Sequence, residues 1–193
     1  TGAVDIPIIG TEERRFLPTA AGVAERIEEI RVLILNSPLN PTGTCFTADE
    51  LAAICDVILA ENKKRLISGR KPVMLVYDQV YSTMTAEGVE HVHPLNVRPE
   101  MFDYTITLDA ISKSLTGTGL RLGWMAIPPS LAPPVIALVG GRGCWLAGPV
   151  KQAEAALYAE PDRLDYVFAD LDERISLRMG LLKERLSAVR GQG

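Results

Sequence analysis

Lys113 stands in the stretch Ile111-Ser112-Lys113-Ser114-Leu115-Thr116-Gly117-Thr118-Gly119-Leu120-Arg121-Leu122-Gly123-Trp124, directly after an apolar run. A lysine at the mouth of a crevice beyond a strand has its ammonium desolvated, which lowers its pKa and frees the amine as a Schiff-base nucleophile. Taken alone, a Ser-Lys pair at a strand end is more simply a solvated lysine. Eight residues on, Arg121 lies among Gly117, Gly119 and Gly123, whose missing side chains let backbone approach a ligand. A guanidinium in such a setting suits a phosphate, bidentately. Two further polar segments follow apolar runs upstream, Asn36-Ser37-Pro38-Leu39-Asn40-Pro41-Thr42-Gly43 and Tyr77-Asp78-Gln79-Val80-Tyr81. An ionised Asp78 after an apolar strand needs a cationic or hydrogen-bonding partner, such as a protonated ring nitrogen; the alternative is a turn or capping aspartate. Tyr81 reads as a donor to a phenolate oxygen or as a packed aromatic. Asn40, between Pro38 and Pro41, has a fixed neighbourhood that aims its amide, although Asn-Pro also marks an ordinary turn.

The elements that must position these groups are legible as an alternation. Ala20 to Ile30 reads as a helix leading into the continuous apolar strand Val32 to Leu35. Thr47 with Glu50 makes a capping box, and Leu51, Ile54, Cys55, Ile58, Leu59, Asn62 and Leu66 repeat at helical spacing, so a helix is expected over 47 to 67. Strands follow over Val73 to Tyr77 and Tyr104 to Leu108, and Leu120 to Ile127 reads as one more, antiparallel because its connection is short. This order predicts an α/β fold with a mostly parallel sheet, in which the three polar segments meet at one sheet edge, where such sheets bind ligands. Beyond Pro128 the pattern is helical, through an interrupted stretch at 129 to 147, then Pro149 to Ala159, then one long amphipathic helix from Pro161.

Composition narrows the classes of function. A formal charge of -4, from 20 basic and 24 acidic residues spread along the chain, offers no basic stripe for nucleic acid or anionic lipid. No apolar stretch approaches the roughly 20 residues that span a bilayer, and a cytoplasmic protein is expected. Cys45, Cys55 and Cys144 lack CxxC spacing and read as reduced thiols rather than a zinc site. Gly117, Gly119 and Gly123 form GxGxxxG ahead of a strand, which fits neither a dinucleotide fingerprint nor a P-loop. His91 and His93 are expected at the surface, and Trp124 and Trp145 in packing roles.

Together, NSPLNPTGT at 36 to 44, YDQVY at 77 to 81 and SKSLTGTGLRLGW at 112 to 124 resemble the class I/II aminotransferases, pyridoxal-phosphate enzymes of fold type I, in order and separation. The resemblance implies a three-layer α/β/α large domain, incomplete in this chain, with residues 1 to 160 as its central part and 161 to 193 as a helix toward a C-terminal small domain. It implies that Lys113 forms the Schiff base with pyridoxal 5'-phosphate and shuttles the α-proton, and that Asp78 pairs with the pyridine nitrogen. Asn40 and Tyr81 would hold the ring's 3-oxygen, and Ser112 and Arg121 the phosphate. Amino acid and 2-oxo acid substrates and a homodimer are implied too. Two positions depart from the family pattern: Ala110 stands where a phosphate-binding serine is frequent, and Gln79 where an acid is usual. The phosphate loop, the ring-stacking aromatic and the carboxylate-binding arginine of the family are not in this sequence, so the chain alone is not expected to complete a substrate site. Lyase, decarboxylase or synthase chemistry on the same scaffold, and a noncatalytic subunit, are the alternatives.

Overall fold

The computed structural model describes residues 2 to 190. Strands β1 (Val32–Asn36), β2 (Met74–Asp78), β3 (Thr105–Ala110) and β4 (Gly123–Ala126) form one sheet in that order. The first three are parallel, and β4 runs antiparallel to β3, as its short connection predicts. Helix α1 (Ala20–Arg26) precedes β1, α2 (Ala48–Ile67) joins β1 to β2, and the short α3 (Pro94–Val97) lies between β2 and β3. The single turn α4 (Ile111–Ser114) follows β3 at once, and α5 (Ala132–Gly141), α6 (Gly148–Tyr158) and α7 (Pro161–Arg190) follow β4.

Helix α2 begins where the capping box places it. The Thr47 hydroxyl accepts from the Glu50 amide, while the Glu50 carboxylate accepts from the Thr47 amide at 2.8 Å. Its inner side, with Leu51, Ile54, Cys55 and Ile58, packs with Val23 and Ile27 against Leu33 and Leu35 of β1 and Leu75 and Tyr77 of β2. Strand alternation puts Val32 and Ile34 on the opposite face, where they are 49% and 69% exposed. The expected α/β fold with a mostly parallel sheet is thus present, with one helical layer built and the other face bare at β1.

Boundaries differ from the sequence pattern where local bonding ends an element early. α1 stops at Arg26, and residues 27 to 30 turn back through the bond from the Ile30 amide to the Ile27 carbonyl. β4 starts at Gly123 rather than Leu120, because Thr118–Leu120 closes a tight helical turn and Arg121 takes a left-handed conformation, φ 54°. Outward residues of α7, including Leu177, Leu182 and Val189, are exposed. Positions 191 to 193 of the expected long helix, and residue 1, lie outside the described residues. Among the described residues no helix is long and apolar enough to cross a membrane.

A buried ion pair fixes the far end of α2. Arg65 Nε meets Glu61 Oε1 at 2.6 Å with both side chains 3% exposed, and Arg65 Nη2 donates to the carbonyls of Ile27 and Glu28. One turn away, Asn62 exchanges two hydrogen bonds with Val73, at 3.0 and 2.7 Å, setting where β2 enters the sheet. Replacing Arg65 by Met strands the Glu61 carboxylate and should lower the unfolding free energy by about 3 kcal/mol in urea titration. A loss under about 1 kcal/mol would show that Lys64 and Arg70, at 4.0 and 3.9 Å from Glu61, take over the charge.

Candidate active site

The parallel register aligns Asn36 with Asp78 and Asp78 with Leu108, so the C-terminal ends of β1, β2 and β3 share one sheet edge. The Asp78 carbonyl there accepts from the Ser37 amide and from Asn36 Nδ2, both at 3.0 Å. The other amide atom of Asn36, Oδ1, accepts from the Asn40 backbone at 3.0 Å. Bonds from Leu39 N to Thr44 O and from Gly43 N to Leu39 O close the loop, whose Ser37–Pro38 and Asn40–Pro41 peptides are cis. Asn40 is thereby aimed across to β2's loop, where its Nδ2 donates to the Tyr81 hydroxyl at 3.2 Å.

Lys113 arrives from β3. Its turn is closed by Gly117, whose amide donates to the Ile111 carbonyl, and its Nζ stands 5.5 Å from the Tyr81 ring centroid. The structure therefore brings Asn40, Tyr81 and Lys113 together. Lys113 is half-buried and forms no ion pair among the described residues. Asp78 joins this group through its backbone; its carboxylate caps its own loop, with Oδ1 accepting from the Val80 amide at 3.1 Å. Ser112 and Arg121 meet at Thr118, whose hydroxyl donates to the Ser112 carbonyl and whose carbonyl accepts from Arg121 Nη1 at 2.8 Å.

The three glycines beside Lys113 are not equivalent. A Cβ on Gly117 would lie 3.0 Å from Ile111 Cδ1, and one on Gly123 would lie 3.0 Å from the Asp109 carbonyl and 3.2 Å from Ala110 Cβ. At both positions the chain's own packing leaves little room for a side chain. A Cβ on Gly119 would meet nothing within 4 Å.

Two expectations fail here. His91 and His93 are half-buried, packed on the Tyr77 ring at centroid distances of 6.0 and 5.6 Å, because the loop after β2 folds back over that strand. His93 Nδ1 accepts from the Leu95 amide as the cap of α3, so its Nε2 carries the proton and donates to Thr107 Oγ1 at 2.9 Å. Burial holds both imidazoles below their usual pKa, and burial also pushes the Tyr77 phenol up to about 12. Trp145 is 76% exposed rather than packed, whereas Trp124 sets its ring edge-on to Tyr158 at 6.1 Å. Conversely, Asn36, Gln79 and Asp109 carry bonds that the sequence reading assigns to none of them. An aspartate directly after the expected strand Tyr104 to Leu108 was the available signal, since such a side chain needs a donor nearby. That donor is Gln79. The thiols are free as expected, and burial pushes Cys55 up to about 12, which keeps it protonated and unreactive.

A family model for the class I and II aminotransferases matches residues 10 to 191. The chain belongs to this family. It is 27% identical to aspartate aminotransferase of Geobacillus stearothermophilus over 191 residues, 98% of this chain and 45% of that protein. A probable aspartate/prephenate aminotransferase of Rhizobium leguminosarum is 33% identical over 125 residues, 64% of this chain and 29% of that one. A mutant aspartate aminotransferase of Thermus thermophilus superposes with a TM-score of 0.85 at 23% identity, over 97% of this chain and 48% of its own, a likeness of fold. The chain spans less than half the length of the curated relatives it matches.

The two half-buried histidines give this chain a definite acid response. Unfolded, each imidazole takes up a proton near the ordinary value of 6.5, whereas the folded chain resists protonation until lower pH. The unfolded state therefore binds more protons in that window, and stability, full above about 6.5, is lost as pH falls toward the depressed folded values. Urea midpoints should drop between about pH 7.5 and 5, less so in His93→Gln. Superimposable wild-type curves across that range would contradict the burial of both rings.

Proposed function

We propose that this chain carries the cofactor-binding part of a pyridoxal-phosphate-dependent aminotransferase that moves an amino group from an amino acid to a 2-oxo acid. The observation that carries the reading is the meeting of Asn40, Tyr81 and Lys113 at the ends of parallel strands, in a chain of the aminotransferase family. The names of the relatives, among them aspartate, aspartate/prephenate and kynurenine transaminases, support the substrate class.

The residues present fit the cofactor. Asn40 Nδ2 and Tyr81 Oη form a donor pair suited to the ring's phenolate oxygen, and their bond pre-aligns them. Asp78 offers a carboxylate whose Oδ2 is not engaged by the Val80 amide, suited to a protonated ring nitrogen. Ser112 and Arg121, tied together through Thr118, are the phosphate ligands of this proposal. When bound, pyridoxal phosphate supplies an aldehyde for condensation with amines and an electron sink for the bonds at the substrate α-carbon. Lys113 Nζ would supply the amine that holds that aldehyde and, once freed by the substrate amine, would carry the proton at the substrate α-carbon. Tyr81, beneath the Lys113 amine, limits the positions this flexible side chain can take.

Residues 1 to 160 then belong to the cofactor domain and 161 to 193 to a helix toward a small domain. The complete enzyme is proposed to be a cytoplasmic homodimer, and nothing in the charge distribution favours nucleic acid. Borohydride reduction of the complete protein with pyridoxal phosphate, followed by peptide mass mapping, should place the pyridoxyl adduct on Lys113 and leave Lys113→Ala unlabelled. An adduct on another lysine, or none, rules the assignment out. With substrate in single turnover, 2-oxo acid should form in stoichiometric amount.

A further inference from the structure

Beside Asp78 and Lys113 lies a hydrogen-bonded pair with no part in the chemistry above. Gln79 follows Asp78 in the chain, and Asp109 stands four residues before Lys113 at the end of β3. Gln79 Nε2 donates to Asp109 Oδ2 at 3.0 Å, and the Gln79 amide donates to the Leu108 carbonyl at 3.0 Å. Asp109 Oδ1 accepts from the Ala110 amide at 2.7 Å, the peptide that launches the Lys113 turn. Behind them, His91 Nε2 meets Gln79 Oε1 at 3.3 Å.

The polarity of this chain of bonds is set at one end. An ionised carboxylate only accepts, so Gln79 must turn its NH2 toward Asp109 and its oxygen toward His91. His91 then carries its proton on Nε2, and its Nδ1 is buried without a partner. If Asp109 became an amide, Gln79 would have to flip, its NH2 would face Nε2, and the imidazole proton would move to a Nδ1 that has no acceptor. A buried polar group orphaned in this way is costly, so the arrangement resists reversal.

We propose that Asp109 and Gln79 are a positioning pair, whose hydrogen bond fixes the separation of the β2 and β3 ends and so sets Asp78 relative to Lys113 for the cofactor. This rests on the cofactor reading above. The pair touches neither substrate nor cofactor; it acts through the two residues that do.

The test is a reciprocal exchange in the complete protein. Gln79→Glu sets two carboxylates at a 3.0 Å contact, and Asp109→Asn forces the unfavourable flip. The double variant Gln79→Glu/Asp109→Asn restores a donor and an acceptor: the amide introduced on β3 donates to the carboxylate introduced after β2, while its oxygen still accepts from the Ala110 amide. Four proteins are compared by urea unfolding without cofactor, and by pyridoxal phosphate affinity and visible circular dichroism of the bound cofactor, which reports its orientation. Each single variant should weaken cofactor binding about tenfold and change the visible spectrum, and the double variant should return to within about twofold of wild type. Single variants that lose only stability, with wild-type affinity and spectrum, would reduce the pair to a structural bond and overturn the proposal. A double variant no better than the worse single one would overturn it as well. Wild-type protein that takes up no pyridoxal phosphate would instead defeat the proposed function, and this inference with it.

Discussion

The backbone carbonyl of Asp78 takes two donors from the end of β1, and the placement of Asn40 beside Tyr81 and Lys113 depends on that one acceptor. Beyond the last ladder bonds of a parallel sheet, strand ends separate unless something satisfies their free carbonyls and amides. Here the Ser37 amide continues the ladder by one step while the Asn36 side chain doubles it and holds the Asn40 backbone with its other atom. Each such bond is worth only about 1 kcal/mol net, yet together they convert two flexible loops into one frame. Without it, Asn40 and Tyr81 would approach Lys113 from independent loops.

The face that α2 covers changes character across the sheet. β1 and β2 present Leu33, Leu35, Leu75 and Tyr77 to it, whereas β3 presents Thr105, Thr107 and Asp109 in the same register. The apolar part supplies the burial that stabilises the domain, and the polar part is occupied by the loop carrying His91 and His93. Histidines suit that position because a neutral imidazole has an apolar body and two atoms for hydrogen bonding. The site thus sits where a hydrophobic core gives way to a hydrogen-bonded layer, which combines rigidity with directional groups.

Much of this was legible from residues alone. Apolar runs marked β1 and β2, the β-branched and aromatic run Tyr104 to Leu108 marked β3, and Thr47 with Glu50 located the start of α2, because those signals depend on near neighbours. Asn40, Tyr81 and Lys113 were readable as one site because each follows a strand of a parallel sheet, and such strands end on the same edge. Beyond the element boundaries, which local turns shift by a few residues, the misreadings are tertiary. Nothing near His91 or His93 in sequence announces that Tyr77 and Thr107 receive them, and nothing near Trp145 announces that it stays outside. The bond between Gln79 and Asp109 joins residues thirty apart, so it became visible only once register was fixed.

Gly117, Gly119 and Gly123 look alike as a sequence motif, yet their surroundings give them different freedom to drift. At Gly117 a larger residue must press on Ile111, on the turn that carries Lys113, and at Gly123 on Asp109 and Ala110 at the end of β3 that leads into it. Gly119 faces open space within this chain, so the chain's own packing sets no limit there. Packing constraint beside the lysine is therefore uneven at single-residue resolution: two glycines are confined by the shape of the chain itself, and the one between them meets no neighbour of this chain.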